Sequence, residues 1–152
     1  MTQERPTVLQ GGRAKAYRPL DEPARRAAFL AGIAAYRRGE FFEAHELLEP
    51  AWMGTRDATE RDLHQGLIKL AAGYVHAVRG NPQGMMKNLR GAREHLAAVL
   101  AAGLPPIATP PDGSPDLDLP ALVASIDRRL ADLARTASVG AIDPPRLETT
   151  KA

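Results

Sequence analysis

Apolar residues recur at steps of three and four positions in five segments of this chain, and glycine or proline lies between them. That step is the period of an α-helix with one buried face, whereas a half-buried strand alternates every two residues. No segment shows the strand period. The sequence therefore predicts an all-α fold, a compact bundle of about five helices. Its 152 residues, 44% of them hydrophobic, suffice for one domain with its own core.

Glycine, proline and capping residues set the expected boundaries. We expect a flexible arm at residues 1–20, a helical domain at 21–137 and a disordered tail at 138–152. Residues 103–118 hold five prolines and two glycines, so a connector without regular structure is expected there. Pro50 should end or kink helix 2, because its ring removes a backbone donor. The helices should begin after Asp21, near Glu40, near residue 60, after Asn81 and near residue 119.

Composition excludes several classes of protein. There is no cysteine, which rules out disulfides, thiolate metal sites and a cysteine nucleophile. No apolar run approaches the ~20 residues of a membrane helix, and the N-terminus lacks a signal-peptide pattern, so we expect a cytoplasmic protein without a membrane partner. Residues 41–64 carry six acids and two bases, and residues 65–100 carry five bases and one acid. This complementarity favours internal or homodimer pairing over nucleic-acid binding.

Helix 2 places ionisable residues in its apolar stripe. On a helical wheel with His45 at 0°, Glu49 falls at about 40° and Trp52 at about 340°, among the aromatic and leucine side chains. Glu46 lies on the shoulder of this stripe. An ionised carboxylate removed from water costs several kcal/mol unless it is paired, protonated or bound to a cation. Some group must therefore compensate for Glu49.

Helix 3 is expected to be central, because it carries apolar residues on one face and small residues on the other. The small strip consists of Gly66, Gly73, Ala77 and Gly80, with Gln65 and His76 beside it. Small residues let another helix backbone come close, and we expect helix 2 to pack there. That packing would bring the helix 2 cluster to Gln65 or His76.

Three interpretations of the cluster stay open. The first is a buried hydrogen-bond network that fixes how helices 2 and 3 pack. The second is a metal site with His45, Glu49 and His76 as ligands. Residues 45–49 read H-E-L-L-E, an HExxE motif in which Glu49 replaces the second histidine of the zinc-protease pattern, and carboxylates also bind manganese and iron. The third is metal-free acid–base chemistry between the histidine and a glutamate.

Other conspicuous residues are assigned to structure. His64 lies at the margin of the apolar face of helix 3, and His95 lies on the polar side of helix 4. We expect both to be solvated or capping. Trp52 and the Met85–Met86 pair are most simply core residues, although Trp52 ends the motif-bearing stripe.

The motifs together resemble a known family. The runs G-E-F-F-E-A-H-E-L-L-E-P-A-W (39–52), H-Q-G-L-I-K-L-A-A (64–72) and R-G-N-P-Q-G (79–84) are similar to the "domain of unknown function 309" family. The resemblance covers about residues 22–100. It implies a compact helical bundle, with a helix-compatible residue where this chain has Pro50. The motif positions that it carries over are His45, Glu46, Glu49, Trp52, Gln65, Gly66 and His76.

Two functions of different classes follow. The first is a metal-assisted hydrolase or small-ligand pocket, with His45, Glu49 and His76 as ligands of zinc, manganese or iron, Glu46 as general base, and Gln65 and Trp52 as further site residues. The second is a protein-interaction or dimerisation module, because the first two helices and their R-G-E turn resemble a tetratricopeptide hairpin. In that case the cluster only locks the helices, and the partner is a protein or a second copy of the chain.

Overall fold

The computed structural model describes residues 7–10, 13–110, 116–136 and 147, with side chains from residue 17 onward. Within these residues the predicted all-α bundle is confirmed. Five helices and one 3₁₀ turn follow in order: α1 (Glu22–Arg37), α2 (Phe41–Met53), α3 (Ala58–Val78), α4 (Pro82–Ala102), the 3₁₀ turn (Pro106–Ala108) and α5 (Leu119–Thr136).

Local sequence explains where these helices begin and end. Asp21, Asp57 and Asn81 each accept a hydrogen bond from the amide three residues later, at 2.8 to 3.0 Å, which satisfies an amide with no partner in the helix. Gly39 and Gly80 follow α1 and α3 with φ of 79° and 70°. Glycine adopts this left-handed conformation without the steric cost of a Cβ.

Helix α3 lies between α2 and α4, as expected for a central helix. Gly66 faces Leu96, and Gly73 faces Leu89, so α3 and α4 run antiparallel. Gly66 and Gly73 of the small strip therefore pack on α4, and the prediction that α2 packs there is wrong. Leu96 and Leu89 of α4 fill the space above these two glycines.

The core is continuous across all five helices. Helix α2 contributes a fully buried Trp52, and its Phe41 ring lies 5.5 Å from the Tyr74 ring of α3. Helix α1 forms a hairpin with α2 in which Gly32 lies against Leu48. Helix α5 packs on α4, where Arg93 donates to Asp127 across the interface.

Proline at position 50 neither ends α2 nor prevents its last turn. The helix continues to Met53, although Pro50 lacks the amide that would bond one turn back. Two interactions compensate for that loss. Trp52 is buried in the core, and the Arg18 amide donates to the Met53 carbonyl at 3.0 Å.

The N-terminal segment departs from the prediction that no strand is present. Residues Thr7–Gln10 and Arg13–Ala16 pair as a two-stranded antiparallel hairpin. The strands are four residues each, too short for the alternating pattern to be recognised. After them, the Leu20 amide donates to the Gly54 carbonyl at 3.1 Å, so the end of the expected arm is attached to the helical domain.

The proline-rich connector also contains regular structure, contrary to expectation. Its 3₁₀ turn buries Ile107 and Ala108. The Arg26 guanidinium donates to the Ile107 carbonyl at 2.7 Å and to Asp116 at 2.9 Å, which ties the connector to α1. Of the expected tail, only Leu147 lies among the described residues; it is buried, and its carbonyl accepts a hydrogen bond from Arg37.

None of the helices in the described ranges combines the length and the apolar character needed to cross a bilayer.

The close packing of α3 against α4 at Gly66 and Gly73, called the seam below, predicts the effect of Gly66→Ala. An added Cβ would lie 2.6 Å from Cγ of Leu96, which is fully buried and cannot move away. We expect the free energy of unfolding to fall by about 1–3 kcal/mol, measured by urea denaturation. Gly91→Ala is the matched control, because its Cβ would meet only the flexible Lys69 side chain. Equal effects of the two substitutions would contradict this packing.

Candidate functional site

Helix α2 brings three potential metal ligands together. One ligand atom each from His45, Glu46 and Glu49 lies within 4.8 Å of the others. Residues 45 and 49 are one helical turn apart and share a face, and the Glu46 carboxylate reaches across to within 3.3 Å of His45 Nδ1. His45 and Glu49, the two ligands predicted on this helix, thus lie close to Glu46, which was predicted as the general base.

His45 lies at the edge of the buried face of α2, not in its centre, and Glu46 lies on the exposed side of the helix. The His45 side chain is 29% exposed, and that of Glu46 is 56% exposed. The buried residues of α2 are Ala44, Leu48, Ala51 and Trp52. Their mean direction is about 75° from His45 on the helical wheel. The prediction of a central position failed because it counted Phe42, which is 61% exposed, as a buried residue.

A cavity of about 390 Å³ adjoins the cluster. Glu46 and Glu49 line one side, and the segment from Arg18 to Leu20, which is hydrogen-bonded to the end of α2, lines another. The exposed Phe42 ring stacks on the His45 imidazole, with ring centroids 6.4 Å apart and planes 15° apart. The two carboxylates therefore face a space that a small molecule or water can enter.

His76 and Gln65 do not join this cluster. His76 lies at the α3–α4 junction, where its Nδ1 is 3.2 Å from Nδ2 of the Asn81 side chain. Gln65 is buried in a second cavity beside Trp52. The predicted grouping required α2 to pack on the small strip of α3, and α4 occupies that strip instead.

The buried polar network of this protein lies on residues that the sequence analysis did not select. His64 is fully buried, and its Nε2 lies 3.1 Å from Oε2 of Glu60, one turn earlier on α3. Arg25 of α1 donates to the same carboxylate at 2.8 Å. The expectation that His64 is solvated or capping is wrong. The spacing of Glu60 and His64 by four residues was the available signal.

The pairing around Glu60 changes its pKa. Burial alone raises the pKa of this carboxyl group, because the charged form loses its hydration. Hydrogen bonds and charge from His64 and Arg25 outweigh burial, so the pKa of Glu60 lies below its ordinary value of about 4.5. The carboxylate is therefore ionised in the folded protein at neutral pH.

The second cavity, of about 760 Å³, lies between α3 and α4. His95, expected to be solvated, is half-buried at its edge, with Nδ1 2.8 Å from Asp62. Sequence reasoning placed only Gln65 and Trp52 among the site residues and missed the charged residues around this cavity. On α3 the lining residues recur at positions 58, 61, 62, 65 and 69, and those at 61, 62 and 69 are charged; this helical spacing was visible in the sequence.

The structure thus defines a helical domain with a His/Glu group on α2 and a charged cavity along α3. A family model described as "Domain of unknown function (DUF309)" matches residues 29–88. The predicted resemblance to this family is therefore confirmed over the second half of α1, all of α2 and α3, and the start of α4. A search of the curated proteins finds no match.

The Glu60 network predicts an acid-sensitive fold. A carboxyl group whose pKa is lower in the folded protein than in the unfolded chain stabilises the fold at pH values above its unfolded pKa. That stability is lost as the pH falls below about 4.5. Glu60→Gln should lower the free energy of unfolding by about 2–3 kcal/mol at pH 7, because Arg25 and His64 lose their charged partner. In urea titrations the difference from wild type should shrink at pH 3. The exposed Glu94→Gln serves as control, and an equal loss at both pH values would refute the assignment.

Proposed function

We propose that this domain binds a divalent cation through His45, Glu46 and Glu49, and that the bound cation supports hydrolysis of a molecule entering the adjoining cavity. The observation that carries the proposal is the proximity of the three ligand atoms, all within 4.8 Å of one another. One imidazole and two carboxylates on consecutive turns of one helix form a compact donor set.

The donor set indicates which cations fit. Imidazole nitrogen with carboxylate oxygen suits zinc, manganese and iron, whereas magnesium and calcium prefer oxygen alone. Three protein ligands leave coordination positions for water or substrate, as in catalytic zinc sites. A cation bound there would lower the pKa of a coordinated water and so supply a nucleophile at neutral pH.

The surrounding residues have defined parts in this proposal. Glu46, expected as general base, is assigned as a ligand because one of its carboxylate oxygens lies within 4.8 Å of ligand atoms of both His45 and Glu49. Phe42 stacks on the imidazole and restricts its orientation. Arg18 lines the same cavity as Glu46 and Glu49, where its guanidinium can pair with a negatively charged group of the substrate.

The interaction-module alternative has less support. Such a module needs an apolar surface that a partner can cover. The large apolar side chains exposed in the described part of the chain are Leu30, Phe42, Val78 and Leu100, each from a different one of α1 to α4. No described helix therefore presents a stripe of such residues.

Metal content tests the proposal directly. Untagged protein purified without chelator should contain near-stoichiometric zinc, manganese or iron by elemental mass spectrometry, and His45→Ala should lose it. The fold of this variant should persist, because His45 is partly exposed and lies outside the core. His76→Ala is the matched histidine control and should keep the metal, since His76 lies at the α3–α4 junction.

Two outcomes would overturn the ligand assignment. A wild-type protein that is empty and takes up no added zinc, manganese or iron excludes the site. Equal metal loss in the folded His45→Ala and His76→Ala variants would return His76 to the ligand set and remove the structural argument for this grouping. Circular dichroism of each variant establishes that its helices are intact.

A further inference from the structure

The cavity between α3 and α4 has the volume of a ligand site. Its volume of about 760 Å³ falls within the range of about 300–1,000 Å³ of small-molecule pockets. It lies along the seam where Gly66 meets Leu96, and Trp52 of α2 forms part of its wall. The arginine, lysine and acidic residues that line it are Arg61, Asp62, Lys69, Lys87, Arg90 and Glu94.

The lining is predominantly cationic. Four of its residues are arginine or lysine, and two are acidic. Asp62 is already engaged with His95 at 2.8 Å. None of the four cations has an ion pair with any residue that the structure describes. Four cations gathered around one cavity repel each other, and an anion bound among them would relieve that repulsion.

Two polar atoms of the lining residues are buried and lack hydrogen-bond partners among the described residues. They are Nε of Arg61, a donor, and Oε1 of Gln65, an acceptor one turn further along α3. Gln65 is only 5% exposed. An unpaired buried polar atom is costly, and native proteins satisfy nearly all of them. A ligand that offers both an anionic oxygen and a donor group would satisfy both atoms.

Lys69 is placed to contribute its charge. A Cβ at Gly91 would lie 2.6 Å from Cδ of Lys69 and 3.5 Å from its Nζ. The lysine side chain therefore crosses the gap from α3 and lies against the backbone of α4 at Gly91, which has no side chain. The glycine leaves room for the lysine stem, and Lys69 is one of the residues that line the cavity.

We propose that this cleft binds a small phosphorylated molecule that also carries a hydroxyl group. A phosphate monoester has about −1.5 to −2 charge at neutral pH, which matches the cationic excess better than one carboxylate does. Arginine and lysine bind the phosphate oxygens, and Gln65 accepts a hydrogen bond from the hydroxyl. This site is separate from the His/Glu group and does not depend on a metal there.

Isothermal titration calorimetry with ribose 5-phosphate, inorganic phosphate and ribose tests the proposal on the full chain at low ionic strength. We expect saturable binding of both phosphates, tighter for ribose 5-phosphate, and none for ribose alone. A ten-nucleotide single-stranded DNA is the fourth probe. Binding of the DNA without binding of either small phosphate would overturn the proposal in favour of a nucleic-acid surface. Absence of all binding at millimolar concentrations would also overturn it.

The affinities of three variants test whether ribose 5-phosphate binds in this cleft. Arg90→Gln, at an exposed position, should weaken ribose 5-phosphate binding about tenfold, the effect of losing one charge-assisted hydrogen bond. Glu94→Gln removes a repelling carboxylate and should tighten binding. Arg128→Gln on α5 removes the same charge as Arg90→Gln outside the cleft, and should change the Kd less than about twofold. Equal weakening by the two arginine variants would show nonspecific attraction and refute the site.

Gln65→Leu tests the hydroxyl contact separately. Leucine has a similar size and no unpartnered polar atom, so the variant should fold at least as stably as wild type. It should bind inorganic phosphate as before, but lose the extra affinity for ribose 5-phosphate. If the folded variant still binds ribose 5-phosphate more tightly than inorganic phosphate, Gln65 does not accept a hydrogen bond from the hydroxyl. The proposed ligand class is then wrong.

Discussion

The close approach of α3 and α4 is the constraint on which the rest of the structure depends. Gly66 and Gly73 leave no side chain between the helices, and Leu96 and Leu89 of α4 fill the space. This seam directs the opposite face of α3 towards α2 and so makes α3 central. It also fixes the spacing of the charged residues that line the cavity beside it.

A second constraint is the cost of burying charge. The fold meets this cost at Glu60, where Arg25 and His64 surround the carboxylate and keep it ionised. The pair Arg25–Glu60 also joins α1 to α3. The group on α2 is different, because His45 and Glu49 are only half-buried and Glu46 is exposed. Its carboxylates stay close to water and adjoin a cavity, which suits binding of a cation better than structural locking.

Short-range sequence features predicted most of the fold. The errors concern which helices pack on each other. Aspartate and asparagine caps and apolar periodicity located the five helices, because these features act within one or two turns. Which helix packs on the small strip of α3 depends on side-chain fit between distant segments, and periodicity contains no such information. The same limit explains why α2 was expected to end or kink at Pro50. The hydrogen bond that Pro50 removes is offset by the burial of Trp52 and by a hydrogen bond from the Arg18 amide, and both involve distant segments.

The candidate site was predictable in part for the same reason. The proximity of His45 and Glu49 follows from a spacing of four on one helix, and the structure adds Glu46 to them. The inclusion of His76 required α2 to pack on the small strip of α3, where the structure has α4 instead. The buried pair Glu60–His64 was equally visible as a spacing of four, but its burial was hidden because Arg25, which compensates it, lies 35 residues away.

The account assigns cation binding to α2 and phosphate binding to the α3–α4 cleft. Two separate nuclear magnetic resonance titrations of ¹⁵N-labelled protein, one with zinc and one with ribose 5-phosphate, test this division most directly. The account predicts that zinc shifts the amide signals around residues 45–49, and that ribose 5-phosphate shifts those around residues 61–69 and 87–95. A single set of residues responding to both ligands, or no response on α2 to zinc, would contradict it.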